Sequence, residues 1–193
     1  MRFFRLMLAV SVLLAMLAAT AVGAPFVLFP KTGELRSPDG RLAVRNGERH
    51  GSAADIVVID AQSLWLVEVT TGRSRKLCNY LGVAAVAWSG NDFVVVTEYV
   101  GKRTSRAWLF PVVGPYDDVM LDKPTLTHSV PIEFRETFRQ NDHVFVEAVS
   151  VQDGALLFRV WEYGARNAAG FRLQCEYALR EKQITCKSAT QQP

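Results

Sequence analysis

Three histidines, three cysteines, four tryptophans and a scatter of acidic residues are the side chains with chemistry to offer in this 193-residue chain. Acyl transfer needs a nucleophile, a base and an orienting group in mutual reach, and no Gly-x-Ser-x-Gly turn is present. His50, His128 and His143 each stand beside an expected loop or strand end, where a surface or structural role is the ordinary one. No His-x-x-x-His or Cys-x-x-Cys spacing offers a transition-metal site. Asp117, Asp118 and Asp122 could meet a hard cation, yet the glycine and bidentate glutamate of a calcium loop are missing. Phosphate-binding loops and dinucleotide fingerprints are absent too, so the sequence implies no cofactor and no metal. A glycan-active enzyme using Glu162 or Asp153 is one alternative. It requires a second carboxylate about 5–10 Å away.

Trp65, Trp88, Trp108 and Trp161, with Tyr99 and Tyr163, suggest a stacking platform, but aromatics on strands are usually core. The exception is Trp161-Glu162-Tyr163-Gly164, at a strand end beside a polar loop. With Arg166 and Asn167 on the rim, Trp161, Glu162 and Tyr163 form the candidate recognition patch.

The cysteines are read from strand register. Phe171, Leu173, Cys175, Tyr177 and Leu179 alternate with polar residues and share one face. A two-residue turn at Arg180-Glu181 sets Leu179 opposite Lys182, Tyr177 opposite Ile184 and Cys175 opposite Cys186. A one-residue slip would scatter the apolar side chains over both faces. The register therefore predicts a Cys175–Cys186 disulfide, with two buried thiols as the alternative. Cys78 is left as a buried apolar residue.

Around these residues the chain reads as short strands. Ser37-Pro38-Asp39-Gly40 is a turn by composition, since proline presets φ and glycine accepts positive φ. Strands are expected over 41–45, 55–61, 64–70, 83–88, 93–99, 105–113, 144–151, 155–163 and 171–179. Residues 46–52 read as an exposed loop and 114–131 as a long surface connection. The single helix expected lies over 131–140, capped by Ser129 or Val130, with Phe134 and Phe138 on one face.

Ser37-Pro38-Asp39-Gly40-x-Leu42-Ala43, Leu64-Trp65-Leu66-Val67-x-Val69-x-Thr71-Gly72 and Val86-Ala87-Trp88-Ser89-Gly90-Asn91-Asp92 resemble the blade repeat of TolB-type and other WD40-like propellers. The resemblance covers about residues 37–97 and implies antiparallel, blade-like sheets that hold proteins or peptides. It departs from the pattern in its longer spacing before Trp65 and in having no third copy. A closed ring needs at least four blades, more than this length supplies. The expected fold is all-β: antiparallel meanders of blade type packed as a small sandwich or an incomplete propeller.

Hydrophobic residues make up 49% of the chain, enough for one core-forming domain. The formal charge of +3 falls to +1 without Arg2 and Arg5, too little to point to nucleic acid. Residues 1–23 read as a secretory signal: Arg2 and Arg5, an apolar 6–17 stretch, then small residues with cleavage sites at Ala19-Thr20-Ala21 or Ala21-Val22-Gly23. Retention as a membrane anchor over 6–29 is the competing reading. The domain is then 24–187 with a loose tail at 188–193, periplasmic or secreted, or else tethered to the outer side of the cytoplasmic membrane. The function expected is a non-catalytic envelope module that binds another protein through the loops at 46–53, 114–130 or 162–170. A small-ligand sensor, or an inhibitor or immunity protein for an envelope-acting enzyme, is the alternative.

Overall fold

The computed structural model describes residues 25–47, 61–164 and 170–189, in which thirteen strands form three antiparallel sheets. The first sheet runs in chain order through β2 (Glu34–Arg36), β3 (Leu42–Gly47), β4 (Ala61–Glu68) and β5 (Ser74–Leu81). The second comprises β6 (Val83–Ser89), β7 (Phe93–Val100), β8 (Thr104–Pro111) and β9 (Val119–Leu121), with β1 (Val27–Phe29) added beside β6. The third is β10 (Val144–Gln152), β11 (Ala155–Glu162), β12 (Arg172–Ala178) and β13 (Gln183–Ser188). Each sheet is a four-stranded meander, the second extended by β1, so the chain is all-β as expected.

The second sheet is the middle layer, because alternation sends its apolar residues both ways. Ala84, Val86, Trp88, Val94, Val96 and Phe110 meet Val44, Leu64, Leu66 and Tyr80 of the first sheet. Ala87, Val95, Ala107 and Leu109 meet Val146, Phe158, Val160 and Leu173 of the third. Two separate cores result, one on each face of the same strands. No comparable packing joins the first and third sheets among the described residues. Among the described residues the stack is open at both ends rather than closed into a ring.

The Ser37–Gly40 turn forms as its composition demands. Gly40 N–H donates to Ser37 O at 2.9 Å, and Gly40 sits at φ +72°, where a Cβ would be strained. Asp39 accepts from Ser37 Oγ at 2.7 Å and from Arg41 N–H at 3.1 Å. The turn also touches its counterpart in the middle sheet: Asp39 N–H donates to Asn91 Oδ1 at 3.1 Å. Trp88 Nε1–H reaches Leu35 O at 3.2 Å, tying the same two sheets together.

Several expectations are corrected. Val27–Phe29 is a strand and Phe29 is fully buried, so these three residues of the 6–29 stretch belong to the fold. The 114–131 stretch is not merely a surface connection. It contains β9 and a short helix, α1 (Lys123–Leu126), and buries Leu121, Leu126 and Val130. Asp122 caps α1 reciprocally with Thr125. The expected helix is a 3-10 turn (Ile132–Phe134) leading into α2 (Arg135–Gln140), entered from Pro131 with no side-chain cap. Neither Ser129 nor Val130 serves. The final hairpin keeps the expected register, Cys175 opposite Cys186, but its loop is Leu179–Lys182 rather than two residues. Leu179 N–H instead donates to Gly154 O at 3.0 Å. Strand pairing runs through Ser188. Cys175 and Cys186 form the disulfide. The expected signal segment, the strand over 55–60, Arg166 and Asn167 lie outside the described residues. No helix among those described is long and apolar enough to cross a membrane.

Candidate functional site

The third sheet turns one face to the middle sheet and leaves the other uncovered among the described residues. Pairing of β10 with β11 sets Phe145 directly opposite Trp161. Their rings stack with centroids 4.2 Å apart and planes 12° from parallel. Tyr163 stands edge-on to both, at 4.7 Å from Trp161 and 5.7 Å from Phe145. Offset and edge geometries of this kind suit the quadrupoles of the rings. Phe145 is buried beneath the other two, Trp161 is half-buried and Tyr163 is 72% exposed. Glu147 faces Arg159 across the same pair of strands, and Arg172 lies opposite Trp161 on β12. The patch is thus aromatic at its centre and charged at its edge. Tyr99 closes one side, donating from Oη to Glu147 Oε1 at 3.3 Å. Burial, then the Glu147 charge, push its hydroxyl up to about 12.

Glu162 lies between Trp161 and Tyr163 in sequence and on the opposite face of the sheet. It is only 4% exposed. Oε1 accepts from Asn141 Nδ2 and from Gly164 N–H, the latter at 3.2 Å. Oε2 is buried with no hydrogen-bond partner among the described residues, an arrangement that costs free energy unless another group supplies a donor. Phe171 packs beside it against Phe134 and Phe138, at 5.6 and 6.1 Å between centroids. Gly170 is required here, since a Cβ would collide with Glu162 O and Gly164 N. An open cavity of about 1250 Å³ spans this corner, lined by Phe134, Glu162, Tyr163, Phe171 and Arg172.

Trp161, Glu162 and Tyr163 are therefore neighbours at one end of the molecule, though they present two different surfaces. Phe145, Glu147, Asn141 and Arg172 join them and were not singled out by sequence. The one signal for Phe145 is the alternation of β10, which puts it on the side away from Val144 and Val146. Glu162 and Asp153 do not form a carboxylate pair: they flank β11 at opposite ends, about 30 Å apart at the rise of a strand. The other tryptophans are bonded into the fold, Trp65 to Ser63, Trp88 to Leu35 and Trp108 to Glu98. His128 and His143 are exposed, and His50 lies outside the described residues. Among the described residues no three His, Cys, Asp or Glu side chains converge on a metal-sized site. Burial pushes the Cys78 thiol up to about 12, which suits an apolar filler and not a nucleophile.

Neither the models of known protein families nor the curated proteins include a match to this chain.

Proposed function

We propose that the protein is an exported, non-catalytic module that binds another protein of the cell envelope through the uncovered face of its third sheet. The observation that carries this reading is the Phe145–Trp161–Tyr163 cluster, in which a rigid aromatic pair supports a largely exposed tyrosine. Buried-based aromatics ringed by charge are the usual anchors of protein interfaces, and they lose little side-chain entropy on binding. The Cys175–Cys186 bridge suits an oxidising compartment, in keeping with the signal-like residues 1–23. The blade-like repeat residues support the same kind of use.

The test is in-cell cross-linking of the tagged, disulfide-intact protein, repeated with Trp161→Ala and Tyr163→Ala. The reading expects one stoichiometric envelope partner, lost at least tenfold in both variants while the far-UV circular dichroism stays unchanged. Equal capture by all three proteins removes the patch from consideration. The partner's identity separates an assembly factor from an inhibitor or immunity protein.

A second reading is a small-ligand sensor, favoured by Glu162 Oε2, which has no hydrogen-bond partner among the described residues and lies beside the cavity. It calls for a ligand that offers a cationic or N–H donor group. A monomer with no partner, whose thermal midpoint rises with a cationic ligand and does not rise in Glu162→Gln, would move this reading ahead.

A further inference from the structure

A sheet edge exposes unpaired backbone groups, and proteins blunt such edges unless they are used. Most edges here are blunted. Strands β1, β2 and β9 are three residues long. Strand β5 is broken by a bulge at Leu77, where pairing shifts from Leu64–Cys78 to Trp65–Lys76, and Glu98 Oε1 accepts from Leu81 N–H at its end.

Strand β10 is blunted in an unusual way. Its outer edge lies over the middle sheet, whose hydroxyls bond to it in turn. Thr104 Oγ1 donates to Val144 O, and Ser105 Oγ both donates to Val146 O and accepts from Val146 N–H. Thr97 Oγ1 accepts from Ala148 N–H, and Ser89 Oγ bonds both backbone groups of Val151. All six contacts lie between 2.9 and 3.1 Å.

Strand β13 has none of these devices among the described residues. It is six residues long and pairs with β12 in unbroken register. Ala189 N–H donates to Arg172 O, so the alternate residues Gln183, Thr185 and Lys187 point their backbone groups at β12. Ile184, Cys186 and Ser188 point theirs outward. The disulfide at the central one of these holds the edge against fraying. On the inner side lies a groove of about 410 Å³ between β9 and the hairpin, lined by Val119, Met120, Tyr177 and Ile184 and also by Asp118 and the Lys182–Asp117 ion pair. On the outer side Lys187, Arg172 and Arg159 stand against Glu176 and Glu147, and Glu147 lies opposite Arg159 so that Lys187 is the charge nearest the open edge.

We propose that β13 receives an extended segment of a partner protein as a fifth strand, with alternating apolar and acidic side chains. The apolar ones fill the groove beside Ile184, and the acidic ones lie along Lys187 on the outer face. The main-chain groups of Ile184, Cys186 and Ser188 supply affinity, and the side-chain alternation supplies specificity. This inference rests on the protein-binding reading but not on the aromatic patch.

The probe is the capped hexapeptide acetyl-Glu-Val-Glu-Val-Glu-Val-amide, titrated onto the full disulfide-intact protein and followed by amide hydrogen exchange. Protection at Ile184, Cys186 and Ser188 is expected to rise at least tenfold. A peptide N-methylated at every amide should give no protection. Ser188→Pro, which deletes one outward N–H at an exposed edge position, should weaken binding by roughly fivefold, with disulfide and circular dichroism intact. No protection at those amides up to millimolar peptide overturns the proposal, as does equal binding of the N-methylated peptide. A fluorescence response of Trp161 without edge protection sinks the edge while sparing the aromatic patch. A dimer in free solution that Ser188→Pro dissociates assigns the edge to a second copy and likewise overturns it.

Discussion

Asp39 shows how much of this fold one short side chain can organise. It holds Ser37, the Arg41 amide and the Arg41 guanidinium at once, and each bond favours the ionised carboxylate. The Ser37 hydroxyl is the largest influence, followed by Arg41, and together they lower the carboxyl to about 2 from an ordinary value of 3.8. A folded value below the unfolded one adds stability above the unfolded value, and that stability fades as pH falls from about 4 through 2. Asp39→Asn should therefore flatten the acid limb of thermal midpoint against pH while leaving the midpoint above pH 7 little changed in slope. A variant whose acid limb matches the parent would exclude the carboxylate. The cysteines give a second contrast. Cross-linking so short a loop as 175–186 is worth about 3 kcal/mol, so Cys175→Ser/Cys186→Ser should lose about that much in urea unfolding. Cys78 is buried and its thiol is held protonated. It should resist maleimide in the native protein and react on denaturation.

At the scale of elements, the hydroxyl ladder along β10 explains how a strand can lie across another sheet without leaving polar groups stranded. Ser105 is the critical rung, since it satisfies both backbone groups of Val146 in a dry setting. Removing the hydroxyl leaves two buried groups unpaired, at about 1–3 kcal/mol. Ser105→Ala should thus destabilise by that amount in chemical unfolding, whereas Ser74→Ala on an exposed strand start should stay within about 0.5 kcal/mol. Equal effects would mean the ladder carries no stability. This ladder could not be seen in the sequence, because each rung joins a common residue to a backbone group some 40 to 60 positions away. Most of the longer strands could be seen, because period-two alternation and turn residues are local; β5 (Ser74–Leu81) could not, because its bulge at Leu77 breaks the alternation. The Cys175–Cys186 register was legible for the same reason: only one pairing kept Phe171, Leu173, Tyr177 and Ile184 on one side. The 114–131 stretch misled because Leu121, Leu126 and Val130 are buried singly, without a period to announce them.

For the whole molecule, the decisive fact is that two cores share one sheet. Val94 and Val96 face the first sheet while Val95, between them, faces the third. Glu98 adds a polar joint between the first two layers: fully buried, it accepts from Arg106, Trp108 and Leu81 N–H. Glu98→Ala would strip the partner from a guanidinium that is still one-third open to water. The cost should fall at the low end for a buried pair, about 3 kcal/mol. Because neither outer sheet has a core without the middle one, the three layers should unfold as a single unit. Val96→Ala and Leu109→Ala, on opposite faces, are each expected to lower one common transition. In a Trp161→Phe background, which removes the third sheet's tryptophan, tryptophan fluorescence should follow the first core through Trp88 and Trp108, and far-UV circular dichroism should follow all three sheets. Coincident midpoints in both variants are the expected result. Separate midpoints, with Val96→Ala moving one and Leu109→Ala the other, would show that the sheets are independent folding units and that the middle layer does not couple them.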